Sequence, residues 1–181
     1  MYYCTYKSKI GLLYIISDGI NLCGCYLEGQ KYFPKDLSNY IFNDSLEILN
    51  KCKLWLDKYF NGEVPKLEDI SIKFQGTQFR KNVWSLIMKI PHGELVTYKY
   101  ISDKIAKNMG YKSMSSQAVG GAVGHNPILI FIPCHRVIGT NGSLTGYSAG
   151  IEVKKFLLNL ENNNNNESIK ILPKIAEIFI K

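Results

Sequence analysis

The first third of the chain alternates short apolar runs and then changes to a helical period. Residues 11–17 and 20–27 are rich in Ile, Leu and Tyr, and they flank Asp18-Gly19, a dipeptide typical of a tight hairpin turn. Over residues 45–60 apolar side chains recur every three to four positions, until Asn61-Gly62 ends the pattern. The pattern predicts an amphipathic helix packed on a small sheet.

The middle of the chain changes to helices joined by short turns. Three helices are predicted, over about residues 77–90, 97–108 and 115–124, with the caps Thr77, Thr97 and Ser115 or Ser116. A helix, a glycine-containing turn and a second helix form the outline of a helix-turn-helix. We therefore expect an α+β protein, with a small sheet-plus-helix domain over residues 1–74 and a mostly helical domain over residues 75–161.

The tail forms a third segment, residues 162–181. It begins with five asparagines, a composition typical of a polar linker. Apolar side chains with helical spacing follow, at Ile171, Leu172, Ile175, Ile178 and Phe179. They predict a final helix that either folds back on the body or binds another chain.

The excess positive charge is confined to the middle segment. The net charge is +7, yet residues 1–74 carry nine basic and nine acidic side chains and residues 161–181 carry three of each. Residues 75–160 hold ten basic side chains against three acidic ones. A basic domain beside neutral flanks is the distribution expected for contacts with nucleic-acid phosphates, and the alternative is that the charge only keeps the protein soluble.

The five cysteines predict free thiols and a reducing, cytoplasmic location. Their number is odd, and the sequence has neither a signal peptide nor an apolar run long enough to cross a membrane. Cys23-Gly24-Cys25 could be half of a metal site, but a tetrahedral zinc needs more ligands and no histidine precedes His92. We therefore expect no metal, no cofactor and no membrane partner.

Cys134 is the candidate nucleophile. An apolar run delivers Pro133-Cys134-His135-Arg136, so that a thiol stands directly before a base and a permanent positive charge. A thiol reacts as the thiolate, which such neighbours favour. The alternative is that Cys134 is a small core residue, the usual role of a buried lone cysteine.

Cys134 lies inside a longer pattern over about residues 76–161. Its motifs, in order, are Gly76-Thr77-Gln78-Phe79, Val83-Trp84, Ile90-Pro91-His92-Gly93-Glu94, Thr97-Tyr98, Ala118-Val119-Gly120-Gly121-Ala122, Asn126-Pro127, Pro133-Cys134-His135-Arg136-Val137 and Ser143-Leu144-Thr145-Gly146-Tyr147-Ser148. This order and spacing resembles the O6-alkylguanine-DNA alkyltransferase (methylated-DNA–protein-cysteine methyltransferase) family. The resemblance implies a ribonuclease H-like N-terminal domain and a protein that rotates O6-alkylguanine out of duplex DNA. It would transfer the alkyl group irreversibly to Cys134, acting once as a monomer, with O4-alkylthymine as a further candidate lesion.

The resemblance also implies roles for individual residues. His135 would deprotonate Cys134 through a water molecule and Glu161 would orient His135, as in other nucleophile, base and carboxylate sets. Tyr98 would donate a proton to the departing guanine, and Asn126 would hydrogen-bond near the cysteine. Without the resemblance, Glu161 would equally be a solvated helix end.

The third predicted helix carries several glycines, each of which costs a helix about 1 kcal/mol relative to alanine. Close packing against another helix is one explanation, and entry of the helix into the DNA minor groove, as the resemblance implies, is the other. The DNA contacts implied are Thr97, Ser116, Gln117, Ala118, Gly120, Gly121 and Arg136. The alkylguanine pocket implied is lined by Val123, Val137, Thr145, Gly146, Tyr147, Ser148 and Ala149.

Two positions depart from the family pattern. Gln117 stands where an arginine usually fills the gap left by the flipped nucleotide, and glutamine supplies neither the charge nor the stacking plane. We therefore expect slower or weaker flipping. Ala149 stands where many relatives have glycine, and its extra methyl group predicts better retention of methyl transfer than of benzyl transfer.

Two other functions remain open from the residues alone. A cysteine hydrolase would use the same Cys-His pair but needs an oxyanion hole and would turn over. A DNA-binding regulator or lesion sensor would bind alkylated DNA without covalent change, and such relatives lack the cysteine that is present here.

Overall fold

The N-terminal half is a four-stranded sheet covered by one helix. The structure is a computed structural model and describes residues 1–34, 36–163 and 170–171. The strands are β1 (Tyr2–Ser8), β2 (Gly11–Ser17), β3 (Leu22–Leu27) and β4 (Ile41–Phe42), in the order β3-β2-β1-β4. The first three pair antiparallel, β4 is parallel to β1, and α1 (Glu47–Phe60) packs on the sheet.

The turn between β2 and β3 forms where the sequence predicts it. The Asp18 carboxylate accepts hydrogen bonds from the backbone N–H groups of Ile20 and Asn21, at 3.1 and 2.8 Å. An aspartate that binds the backbone two and three residues ahead stabilises such a turn. The hairpin and α1 are confirmed, whereas β1 and β4 were not predicted.

The described part of the second half contains four α-helices: α2 (Gln78–Ile87), α3 (Tyr98–Asn108), α4 (Ser116–Gly124) and α5 (Ile151–Asn163). The predicted caps are present, because the side chains of Thr77, Thr97 and Ser115 accept hydrogen bonds from backbone N–H groups in the first turns of α2, α3 and α4. The packed pair of α3 and α4 matches the helix-turn-helix outline. The α+β fold class is confirmed.

A small second sheet was not predicted. In it β5 (Glu94–Thr97) lies between β6 (Val137–Ile138) and β7 (Lys170–Ile171), and both pairings are parallel. Ile171 therefore lies in a strand and not at the start of a helix. The rest of the predicted final helix, residues 172–179, and most of the predicted linker lie outside the described residues.

The two halves share one core, and this fixes the segment that leads to Cys134. The Cys25 N–H donates to the Pro127 carbonyl at 2.8 Å, and the Leu129 N–H donates to the Cys25 carbonyl at 2.9 Å. Residues 127–129 thus extend the N-terminal sheet beside β3, its edge strand. The main core cluster runs from Cys4 to Leu157 and contains side chains of both halves.

All five cysteines lie in the described part of the chain, and each is a buried free thiol. Within those same residues no three histidines, cysteines or carboxylates are grouped so that they could hold a metal ion. The helices of residues 1–34 and 36–163 include none that is long and apolar enough to cross a membrane.

Candidate active site

Cys134 is held rigidly in the interior. It opens a single 3₁₀ turn, Cys134–Arg136, and its side chain is only 2% exposed. The Asn126 amide donates hydrogen bonds to Sγ of Cys134 and to the Ile132 carbonyl, both at 2.9 Å, while its oxygen accepts from the N–H of Ile128 at 3.0 Å. Burial raises the pKa of the Cys134 thiol to about 11, against the lowering effect of Asn126. The thiol is therefore protonated at neutral pH and needs a base to react.

The tautomer of His135, the residue after Cys134, is set by a carboxylate. Its Nε2 lies 2.7 Å from Oε1 of Glu161, and both side chains are fully buried. An ionised carboxylate only accepts hydrogen bonds, so Nε2 carries the proton and Nδ1 presents a lone pair. Burial lowers the pKa of His135, although Glu161 acts to raise it. The imidazole is therefore neutral and able to take up a proton.

Glu161 is the centre of the network. Oε1 accepts from His135, from the Tyr59 hydroxyl at 2.7 Å and from Nη2 of Arg136 at 2.8 Å. Oε2 accepts from Nε of Arg136 at 2.8 Å and from the Gly93 N–H at 3.2 Å. Burial alone would raise the pKa of Glu161, but His135 and Arg136 hold it well below its usual range. Glu161 is thus ionised, and it is not a solvated helix end.

The predicted DNA contact of Arg136 is wrong. The side chain is buried, its guanidinium forms the bidentate ion pair with Glu161, and Nη1 donates to the Ile90 carbonyl at 2.5 Å. All three guanidinium nitrogens are therefore used inside the protein. Arg136 positions the carboxylate that orients His135.

A second, partly buried network holds the loop that follows Cys134. The Tyr98 hydroxyl donates to the Thr145 carbonyl at 2.8 Å, and Nζ of Lys154 donates to the carbonyls of Val137 and Thr145 at 2.6 and 3.1 Å. Burial raises the pKa of Tyr98 to about 12 and lowers that of Lys154 to about 8. Gly146 is required here, because its φ is +70° and a Cβ would lie 2.9 Å from the Tyr98 hydroxyl.

Two clefts open beside these networks. One, of about 790 Å³, lies between α3, the first turns of α4 and the loop 139–146, and its walls include Tyr98, Gln117 and Gly146. The other, of about 400 Å³, is lined by Tyr147 and Ser148 and by Lys31 and Tyr32 from the N-terminal half. Both clefts share Gly120, Gly121 and Gly146.

Comparison with known proteins identifies the family. Residues 1–74 match the model of the 6-O-methylguanine DNA methyltransferase ribonuclease-like domain, and residues 78–163 match that of the DNA binding domain of the same proteins. The chain is 40% identical to the methylated-DNA–protein-cysteine methyltransferase of Haemophilus influenzae, over 89% of this chain and 86% of that protein. It is 39% identical to the protein of the same name from Methanosarcina acetivorans, over 90% and 99% of the two chains.

The solved structures agree with the sequence comparison. The crystal structure of Mycobacterium tuberculosis OGT in complex with DNA superposes with a TM-score of 0.80 at 35% identity, over 91% of this chain and 94% of that one. The chain belongs to the 6-O-methylguanine DNA methyltransferase family.

Most of the residues that the family resemblance implied as DNA contacts or pocket walls lie around the two clefts. Ser116, Gln117, Gly120 and Gly121 of α4 line the larger cleft. The walls of the two clefts also contain four consecutive residues, Thr145, Gly146, Tyr147 and Ser148. Ala118 is exposed on α4, and Ala149 is partly buried against the main core.

Three residues of the family set are placed differently. Thr97 uses its hydroxyl to cap α3, accepting from the Tyr100 N–H at 3.1 Å. Val123 and Val137 are buried in the main core cluster, apart from the side chains that line the two clefts. The structure therefore places both valines in the core and not on the cleft walls.

The glycines of α4 are not explained by packing against another helix. A Cβ on Gly121 would meet nothing within 4 Å, and one on Gly120 would meet only the Tyr98 ring at 3.9 Å. At Gly124 the nearest atom would be the Gly146 carbonyl oxygen, at an ordinary 3.7 Å. The helix therefore presents a surface without side chains to the clefts, the shape that a close approach of DNA requires.

Two buried residues, one in each of the two hydrogen-bond networks, were not predicted from the sequence. Tyr59 counted only as an apolar position of α1, and periodicity does not reveal the partner of a hydroxyl group. Lys154 had a readable signal, because Lys154, Leu157 and Glu161 are spaced for one helix face, and a lysine among buried positions needs partners.

Proposed function

We propose that the protein repairs double-stranded DNA by transferring the alkyl group of O6-alkylguanine irreversibly to its own Cys134. One observation carries the proposal: a buried thiol is followed directly by a neutral histidine whose tautomer and orientation are set by a buried carboxylate. The chain also belongs to a family whose members are named for methyl transfer from DNA to a protein cysteine. The lesions proposed are O6-alkylguanine first and O4-alkylthymine second.

The larger cleft is the proposed site for a nucleotide rotated out of the duplex. Alkylated O6 lies inside the base stack, so the nucleotide must leave it before sulfur can reach the alkyl carbon. The side-chain-free surface of α4 borders the cleft, and Gln117 is exposed in the first turn of that helix. In this proposal α4 lies in the minor groove and Gln117 takes the space that the nucleotide vacates.

The proposed chemistry is one displacement at carbon. His135 takes the thiol proton of Cys134 through a water molecule, and the imidazolium is stabilised by Glu161. The sulfur attacks the alkyl carbon, the carbon–O6 bond breaks and its electrons pass to guanine. Tyr98 exchanges its Thr145 partner for a guanine ring nitrogen and donates a proton, so that guanine leaves neutral. The proton that His135 took from Cys134 is then released and replaces the one that Tyr98 lost. Asn126 keeps Sγ aimed, and the thioether remains.

The proposed setting is the cytoplasm, where five buried thiols stay reduced, and the proposed acting form is the monomer. Neither a metal nor a cofactor has a role in this chemistry, because the alkyl carbon supplies the electrophile and the thiolate supplies the nucleophile.

A turnover count tests the proposal. Limiting protein is incubated with excess duplex that carries one O6-methylguanine, and the restored guanine is measured after digestion of the DNA. The expected yield is one guanine per protein molecule, and none with Cys134→Ser. Many guanines per molecule would indicate a hydrolytic enzyme. Tight lesion binding without any restored guanine would indicate a sensor.

A further inference from the structure

Tyr59 brings the N-terminal half into the catalytic network. Among the described residues of the segment 1–74, it is the one that hydrogen-bonds Glu161, at 2.7 Å from its hydroxyl to Oε1. The same hydroxyl lies 3.5 Å from Nε2 of His135. The side chain is 1% exposed and belongs to the last turn of α1.

Packing explains the ring of Tyr59 but not its hydroxyl. The ring stacks on Trp55 at 5.4 Å, and Trp55 in turn stacks on Phe131 at 4.5 Å, three residues before Cys134. A phenylalanine would fill the same volume. A buried phenol oxygen needs a partner, and here the partner is the carboxylate that orients the base.

Oε1 of Glu161 is shared by three donors. The Tyr59 hydroxyl and Nη2 of Arg136 bind the same oxygen as Nε2 of His135. Each donor withdraws part of the negative charge that would otherwise stabilise a protonated His135. The number of donors on this oxygen therefore sets how strongly His135 holds a proton.

We propose that Tyr59 is a positioning residue which, through Glu161, holds the proton affinity of His135 in the range that lets it accept the Cys134 proton and release it again. The inference rests on the proposed function. It assigns to the N-terminal half a part in the reaction, beyond its role in the fold.

Other charged and titratable groups surround Tyr59 and His135, and the test leaves them unchanged. They come from α5, from the 3₁₀ turn, from the segment before β5 and from the loop 139–150, and they are Glu161, Lys154, Cys134, Arg136, His92 and Tyr147. Arg136 and Lys154 act to lower the proton affinity of His135. In this proposal Tyr59 acts in the same direction, through Glu161. Removing the Tyr59 hydroxyl alone should therefore raise the proton affinity of His135.

The experiment measures the single-turnover rate of methyl transfer from duplex O6-methylguanine between about pH 5 and pH 9, in the full-length protein and in Tyr59→Phe. The variant should start to lose rate at a higher pH than the wild type on acidification. Near pH 6 its rate should be about five- to tenfold lower, the size of effect expected for the net contribution of one ordinary hydrogen bond.

Tyr6→Phe is the matched control, because the Tyr6 hydroxyl also donates at 2.7 Å to a carboxylate, that of Asp57 on α1, but at the protein surface. It should leave the pH profile unchanged. As a second variant, 3-fluorotyrosine at position 59 keeps the hydroxyl and makes it a stronger donor, so the midpoint should move to lower pH.

A change in thermal stability or DNA affinity with an unaltered pH midpoint in both position-59 variants would overturn the inference and leave Tyr59 a packing residue. Failure of the proposed function is distinguishable, because the wild type itself would then transfer no methyl group.

Discussion

At the scale of single residues, the site depends on one buried ion pair. Arg136 binds both oxygens of Glu161, and the carboxylate in turn orients His135. Removing one partner of a buried pair leaves the other charge unpaired and typically costs about 3–5 kcal/mol. Glu161 therefore serves both stability and chemistry, and Glu161 variants must be compared at matched folded fractions.

The stability of the protein should fall as the pH drops below neutral. The folded-state pKa of His135 is lowered by burial, so the unfolded chain, with an ordinary value of about 6.5, takes up a proton before the folded chain does. The lowered pKa of Glu161 adds a further loss below about pH 4.3, where the unfolded carboxylate protonates first. One differential proton gives a slope of at most about 1.4 kcal/mol per pH unit.

Urea unfolding of the wild type and of His135→Asn at a series of pH values measures this slope. Between about pH 6.5 and pH 5 the variant should lose less stability per pH unit than the wild type. Equal slopes would mean that His135 is not held neutral in the folded protein.

The sequence predicts those parts of the site whose residues are neighbours along the chain, and it does not predict contacts between distant residues. Cys134 and His135 are adjacent, and the resemblance to a family of known order supplied Glu161 and Asn126. Arg136 was predicted as a DNA contact, whereas its guanidinium is bonded inside the protein, because a position next to a nucleophile does not say which way a side chain points. Its carbonyl partner, Ile90, is 46 residues away.

At the scale of elements, α4 is the helix that the proposed function places against DNA. Its glycines cost helical stability, and no contact within the described protein requires Gly121. Elements with strong local signals were predicted well, namely the Asp18 turn and the capped helices. The strands β5, β6 and β7 were missed, because two- to four-residue strands whose partners lie far along the chain leave no alternating pattern.

Gly121→Ala should separate stability from function. In the free protein there is room for the alanine methyl group, so the free energy of unfolding should rise by up to about 1 kcal/mol. Affinity for duplex DNA and the repair rate should fall, because the same methyl group would keep the DNA backbone away from the helix. Denaturant unfolding and a binding titration measure the two effects. A gain in stability with unchanged DNA affinity would show that this surface does not approach DNA.

Gln117→Arg should speed repair of duplex DNA. Arginine can stack beside the vacated space and add charge there, worth about 1 kcal/mol or roughly fivefold in rate. Repair of the same lesion in single-stranded DNA should not change, since no base pair has to be opened. Asn39→Arg adds equal charge at an exposed position of the N-terminal half and serves as the control. An unchanged duplex rate in Gln117→Arg would contradict the role given to this position.

At the scale of the whole molecule, a shared core and an uneven charge distribution organise the protein. The excess of basic residues over 75–160 includes Arg136 and Lys154, which are buried and bonded inside, so eight of the ten basic side chains remain for the surface. The sequence predicted the basic segment but not which charges it hides. Lys99 is exposed at the larger cleft, and among the described residues its ion-pair partner is the exposed Asp103.

Lys99→Gln should weaken DNA binding and its salt dependence together. If Lys99 neutralises one phosphate, the slope of log affinity against log salt concentration should become shallower by about one unit. Loss of its surface ion pair should alter stability by less than about 1 kcal/mol. Titrations at several salt concentrations measure the slope. The same slope in the variant and the wild type would show that Lys99 does not contact a phosphate.

The most direct measurement is the intact mass of the protein after reaction with duplex DNA that carries one O6-methylguanine, followed by peptide mapping. The account predicts a stoichiometric gain of one methylene group, located on Cys134, and no gain in Cys134→Ser. An unchanged mass despite tight binding, or a methyl group on another residue, would contradict direct transfer to Cys134.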